Sequence, residues 1–216
     1  MKIGAVFPHN EIGTDPGAIK AYAQGVESLG VDHLLIYDHV LGADRDRDGG
    51  FEGPYDKDIA FHEPFTTFAF IAAVTSNLKM TTTVMILPQR QTVLVAKQAA
   101  ELAILSNNRF TLGIGVGWNQ IEYVGLNETF TNRGKRQAEQ VELMRLLWSR
   151  EVLEYKGEYH EIDRASINPR PSTYGHELMA MNLSSSAQVH RLESINRSSS
   201  TQVHRLGDHG EARGGL

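Results

Sequence analysis

The sequence predicts an α/β fold built on a parallel sheet, and three observations carry that expectation. Short apolar, β-branched runs begin near residues 2, 33, 79 and 109. Each is followed by a segment with helical apolar spacing. Between Met80 and Trp118 lies a whole strand–helix–strand unit, of a length that suits a crossover between parallel strands. Repeated strand–helix alternation is the pattern of α/β proteins. Alternation alone leaves two architectures open, an eight-fold barrel and an open doubly wound sheet.

Each element has its own local reason. Lys2 to Phe7 is a short apolar strand that Pro8 ends. Asp15 is a good N-cap with Pro16 in the first helical position, and Ile19, Tyr22, Ala23, Val26 and Leu29 make the apolar stripe that follows. Gly30 closes that helix. His33 to Tyr37 is the second strand and delivers Asp38 and His39 at its carboxyl end. Leu41 to His62 is polar, with alternating charges from Asp44 to Asp48, and reads as a long mobile loop of the kind that often acts as a lid. Pro64 opens a helix to Asn77 with Phe65, Phe68, Ala69 and Ala72 in register.

Thr81 to Leu87 is the third strand, ended by Pro88. Thr92 to Leu105 is the helix after it, with Val95, Ala99, Leu102 and Leu105 on one face, stopped by Asn107-Asn108, which tolerate the left-handed conformation. Arg109 to Ile114 begins the fourth strand and runs into Gly113, Gly115 and Gly117. Gly134 to Trp148 is a further amphipathic helix with Val141, Met144 and Trp148 inward. Glu154 to Ile162 reads as a hairpin turning at Lys156-Gly157.

Composition narrows the function classes. The 216 residues suffice for one domain with a sizeable core, and 41% hydrophobic with 22% charged residues is ordinary for a globular protein. A net charge of −5 gives no electrostatic reason to expect nucleic acid or an acidic membrane as partner. With no cysteine, neither a disulfide nor a thiolate metal site is available. No run approaches the roughly 18 apolar residues of a membrane span. A soluble cytoplasmic protein acting on a small molecule is the expectation.

The run MTTTVMILPQR–TVLVAKQAAELAILSNNRFTLGIGVGWNQIEY resembles the luciferase-like monooxygenase superfamily of flavin and deazaflavin oxidoreductases. IYDHV at Ile36–Val40 and FTNRGKRQAEQVELMRLLW at Phe130–Trp148 match further parts of that pattern. It is nearest to the subgroup assigned to coenzyme F420, and the resemblance covers residues 1 to about 171. It implies a (β/α)8 TIM barrel, which decides between the two architectures. It also implies hydride transfer between the deazaflavin and a small organic substrate. An FMN-dependent monooxygenase is the alternative within the same fold, and an inactive fragment is the alternative outside it.

Several residues are candidates for that chemistry. Asp38-His39 stands at a strand's carboxyl end, where barrel sites are assembled, and a histidine there can serve as acid or base near neutral pH. The resemblance makes Asp38 a cofactor neighbour and His39 the acid–base residue. Thr83-Val84 reads by itself as ordinary strand; the resemblance implies a non-prolyl cis peptide there, backing the cofactor ring. Gly113, Gly115 and Gly117 are not a dinucleotide fingerprint, because their spacing is G-x-G-x-G, but alternating glycines let another group approach the backbone. By resemblance Val116, Gly117 and Asn119 lie beside the cofactor. Trp118 departs from the family's sugar-phosphate dehydrogenases, which carry a carboxylate there. His9 is a candidate pocket residue. His62-Glu63 and His160-Glu161 lack metal-site spacing, so no metal is expected.

Four strand–helix units are visible where a barrel has eight, so the barrel domain is expected to be incomplete at residues 1–171. The rest, 172–216, departs from the family, and SSSAQVHRL at Ser184–Leu192 recurs as SSSTQVHRL at Ser198–Leu206. Two Ser-rich copies cannot bury a core, so a disordered, non-homologous tail, from a shifted frame or truncated gene, is the expectation. The open edges of a half-barrel would favour a homodimer.

Overall fold

In the computed structural model, which describes residues 2–171 and 179–181, four successive strand–helix units lay their strands side by side and parallel. The order is β1 (Gly4–Val6), α1 (Pro16–Ser28), β2 (His33–Ile36), α2 (Pro64–Val74), β3 (Lys79–Thr82), β4 (Met85–Ile86) and α3 (Thr92–Leu105). Then come β5 (Phe110–Gly115), α4 (Gln120–Gly125), α5 (Arg133–Ser149), the hairpin β6 (Leu153–Lys156) and β7 (Glu161–Ala165), and β8 (Met179–Met181). The sheet runs β1-β2-β3-β5, with β4 and β8 also parallel to β5. The order never reverses, as it would in a doubly wound sheet. Among the described residues β1 pairs only β2 and β8 only β5, so the described sheet is an open sector with no closure.

Local signals set most of the boundaries. Asp15 caps α1 by accepting from Gly17 N at 2.9 Å, with Pro16 in the first turn. Glu63 caps α2 through Thr66 N at 2.7 Å. Asn107 and Asn108 take φ of 52° and 60° after α3, the left-handed stop their residue type allows. The helices bury Ile19, Ala23 and Val26, then Phe65, Phe68 and Ile71, then Val95, Ala99 and Leu102, then Val141, Met144 and Trp148. Each large side chain of this kind stabilises by about 1.5–3 kcal/mol on burial. Leu29 and Leu105, assigned by spacing to the same stripes, are exposed. Both stand at helix ends, where the chain turns away from the sheet.

Three stretches differ from their sequence reading. The third strand begins at Lys79, near where the alternation placed it, but is interrupted: Thr81 pairs Thr111 and Met85 pairs Ile114, so four steps on one strand match three on the other. That is a bulge, and the Thr83–Val84 peptide inside it is cis, as the resemblance implied. Leu41–His62, read as mobile, is tied together. Ala43 bridges Asp56, and Arg45 reaches Asp56 Oδ2 at 2.6 Å and the carbonyls of Phe51 and Gly53 at 3.4 Å. Gly42 is required there, because a Cβ would lie 2.3 Å from Asp56 O. Finally, β8 lies in the stretch read as tail, so the sheet extends past residue 171 and past four units. The repeated nonamer lies outside the described residues.

Candidate functional site

The bulge and the glycines opposite it form one structure. A Cβ on Gly113 would meet Thr82 O at 2.1 Å, one on Gly115 would meet Val84 Cγ2 at 2.5 Å, and one on Gly117 would meet Ile86 Cγ2 at 2.6 Å. The G-x-G-x-G run is therefore the socket for the neighbouring strand. Gly117 also has φ +65°, which disfavours a side chain on its own account. Thr82 Oγ1 closes the joint by donating to Gly113 O at 2.7 Å, and Thr83 N donates to Ile36 O at 2.6 Å. Pushed out by this packing, Thr83 is exposed and Val84 half-buried at the carboxyl edge of the sheet.

The end of β2 sits beside it. Asp38 is buried, and its carboxylate accepts from Arg90 Nη2 at 2.8 Å, Ile86 N at 3.1 Å and Arg90 Nε at 3.3 Å. Burial pushes the Asp38 carboxyl up, and the Arg90 guanidinium pulls against it. Asp38 thus fastens β2 to the residues that follow the bulge. His39 has its Nδ1 2.9 Å from Glu122 Oε1, and the same oxygen accepts from Val40 N at 2.8 Å and Leu41 N at 3.3 Å. Glu122 Oε2 accepts from Gln89 Nε2 at 3.1 Å. Burial alone would raise the Glu122 carboxyl, but these donors hold it below the usual range. Among the described residues, His39 Nε2 has no hydrogen-bond partner.

Around the His39 ring the tied loop and Trp118 build an aromatic wall. The rings of Tyr55 and Phe61 lie 4.8 Å from the His39 ring, and half-exposed Trp118 lies 5.8 Å away. A cavity of about 240 Å³ opens here, lined by residues 39–42 together with Tyr55, Lys57, Ile59 and Phe61. His9 locks the wall from behind: its Nε2 donates to Tyr37 O at 3.0 Å and its Nδ1 accepts from His62 N at 3.0 Å. Acceptance at Nδ1 needs the neutral ring, and burial takes its pKa down to about 4. At the end of β5, Asn119 caps α4 by accepting from Ile121 N at 3.1 Å, while its buried Nδ2 has no partner among the described residues.

The family pattern of the luciferase-like monooxygenases matches residues 1–187. The chain belongs to that family. Pyrimidine monooxygenase RutA of Allorhizobium ampelinum is 31% identical over 80% of this chain and 49% of its own length. The chain therefore spans about half the length of such relatives. Riboflavin lyase RcaE, solved with modified FMN, superimposes with a TM-score of 0.70 at 17% identity, over 87% of this chain and 50% of that one. An F420-dependent secondary alcohol dehydrogenase, solved with an F420–acetone adduct, gives 0.63 at 20% identity, over 80% and 49%. These structural likenesses speak for the fold.

Of the residues singled out in the sequence, Asp38, His39, Thr83, Val84, Val116, Gly117 and Asn119 all follow the carboxyl ends of β2, β3 and β5. Three residues of this luciferase-like site were missed: Glu122, Gln89 and Arg90. Asn119-x-x-Glu122 has the spacing of a capping box, which hides the Glu as a helix-start signal. Its carboxylate instead reaches His39. Gln89-Arg90 directly after Pro88 could have been found as polar residues at a strand's carboxyl end. One other group stays out of the site. His160 bridges Glu139 Oε1 at 2.8 Å and Thr92 Oγ1 at 2.6 Å, an acid–histidine–hydroxyl order. But Thr92 is buried and also receives Gln140 Nε2 at 3.0 Å, so the triplet clamps the hairpin to α3 and α5. Among the described residues no cluster suits a metal ion, and no helix is long and apolar enough to cross a membrane.

Proposed function

We propose that this chain carries the ring-facing half of an oxidoreductase site, and that the cofactor is coenzyme F420. The observation that carries the reading is the Thr83–Val84 bulge, with Thr83 exposed, set beside a histidine whose Nε2 has no hydrogen-bond partner among the described residues. A flat tricyclic group fits this edge: Thr83 and Val84 offer it a surface from one side, Val116 and Gly117 border it, and the partnerless Nδ2 of Asn119 is a donor in reserve. Bound there, the deazaflavin supplies or accepts a hydride. His39 Nε2 holds or moves the proton that accompanies it at the substrate oxygen, a step that positioned histidines speed by roughly 10²–10⁴-fold. Tyr55, Phe61 and Trp118 exclude water around that nitrogen, and the cavity size selects a small organic substrate.

A second reading keeps the fold and uses FMN with oxygen. It is favoured by the relatives named pyrimidine monooxygenase, at 31% to 34% identity. Titrating the protein with F420 and with FMN separates the two. Saturable F420 binding with weak FMN binding supports the proposal; tight FMN binding with oxygen uptake and no F420 affinity overturns it.

A further inference from the structure

We infer that Glu122 is the positioning residue of this site: it fixes His39 in the Nδ1–H tautomer and leaves the Nε2 lone pair facing the cavity. The inference rests on the reading of His39 as the proton-handling group and deepens it. Glu122 is buried to 1% exposure, yet both of its oxygens are in use. Oε1 takes His39 Nδ1, Val40 N and Leu41 N, and Oε2 takes Gln89 Nε2. Every one of these partners other than the imidazole can only donate. An acceptor so crowded with donors is ionised, and an ionised carboxylate accepts only, so the proton of the neutral imidazole must sit on Nδ1.

A free imidazole in water prefers the other tautomer, with its proton on Nε2. In that form Nε2 could give a proton but not take one, and Nδ1 would turn a lone pair onto the Glu122 charge. The carboxylate therefore does two things. It makes Nε2 a base when the ring is neutral. When Nε2 takes a proton from a substrate hydroxyl, it stabilises the imidazolium that forms, without moving a proton itself. That is the role an orienting carboxylate has behind any general-base histidine. The geometry adds a structural reason for its place in the fold. One carboxylate joins the end of β2, the turn after β4 and the first turn of α4. The site's histidine is thereby held to the same frame as the bulge that would carry the ring. Among the described residues Glu122 is the one charged side chain bonded to the imidazole; the rings of Tyr55, Phe61 and Trp118 flank it, and Lys57 lines the same cavity.

The test reads the imidazole directly and needs no cofactor. Long-range proton–nitrogen correlation spectra of the uniformly ¹⁵N-labelled chain, assigned through His39→Gln, report which ring nitrogen is protonated. In the unsubstituted protein with the ring neutral, His39 is expected as the Nδ1–H tautomer; finding it as Nε2–H overturns the inference before any variant is made. In Glu122→Gln the ring is expected to shift toward Nε2–H, and an unchanged tautomer overturns the assignment to Glu122. Gln89→Ala keeps the carboxylate and is expected to keep the Nδ1–H form; if it moves the ring as far as Glu122→Gln does, general loosening of the site is the cause and the inference fails. F420 binding does not enter these spectra, so a failed cofactor proposal leaves this result readable, and the reverse holds as well.

Discussion

The two edges of the same parallel sheet use their charged residues in opposite ways. At the amino edge Arg109 donates to Ala72 O, Thr75 O, Leu78 O and Ser106 O, all within 3.0 Å, and to Thr75 Oγ1 at 2.9 Å. Glu27 Oε1 accepts from Ser76, Asn77 and Leu78 N at 2.9, 2.6 and 2.9 Å. Both charges are spent on backbone groups that would otherwise lack partners where α2 ends and β3 begins. At the carboxyl edge, Asp38 and Glu122 are equally saturated, but what they hold in place is left free: an exposed bulge and His39 Nε2. The lesson is that charge marks both edges, and a polar atom left over on a fixed frame marks the one where the site is proposed.

Four substitutions or conditions sharpen that contrast. The largest effect belongs to the free group. In an enzyme carrying the complete site, His39→Ala is expected to lower turnover by roughly 10²–10⁴-fold with cofactor affinity nearly intact. Steady-state kinetics beside a binding titration checks it, and unchanged turnover would reduce His39 to packing. Saturated charges should instead register in stability. Arg109→Ala leaves several carbonyls without their donor and is expected to cost about 4 kcal/mol, read from urea unfolding. Asp38→Ala strands Arg90 beside exposed Glu63 and is expected to cost about 3 kcal/mol by the same assay. It should also weaken cofactor binding, because the residues after the bulge lose their anchor. A stability loss at Asp38 with undiminished affinity would detach the bulge from the cofactor.

The smallest of the four is a pH effect at His9, and its sign follows from the neutral ring. The unfolded chain takes up a proton near pH 6.5, while the folded His9 resists until about 4. Its contribution is therefore fully present above pH 6.5 and is lost as pH falls toward 4, by about 2 kcal/mol across that window once solvent screening of the ring is discounted. Comparing urea midpoints at pH 7 and pH 4.5 for the protein and for His9→Gln measures it. His39, His62 and Tyr37 surround the ring, so the difference between the two proteins carries the His9 share. Equal pH slopes would remove it.

The sequence made legible whatever is decided within a few residues. Asp15 before Pro16, Asn107-Asn108 after α3, and the strand–helix alternation all act locally, and their elements form where the residues placed them. Asp38 and His39 were found because a strand's carboxyl end is visible as the end of an apolar run. The partners were not legible. Glu122 meets His39 across 83 residues and Arg90 meets Asp38 across 52, and only the order of strands brings them together. The loop Leu41–His62 misled for a related reason. Its alternating charges look solvated, but Arg45 turns back onto Asp56 and the Phe51 and Gly53 carbonyls, which no spacing rule announces. The glycine run was half legible: close approach was expected, and the approaching group is the neighbouring strand.

The central claim is that a flavin-type ring lies on the bulge beside His39, and Trp118 is the reporter placed to test it. Trp118 is half exposed at 5.8 Å from the His39 ring, whereas Trp148, the second of two tryptophans, is buried and bonded to Ala96 O. In Trp148→Phe the emission comes from Trp118 alone. Titrating that protein with F420 should quench the emission saturably, with the same midpoint as the change in cofactor absorbance. Saturable binding that leaves Trp118 emission unchanged would place the ring elsewhere and contradict the account.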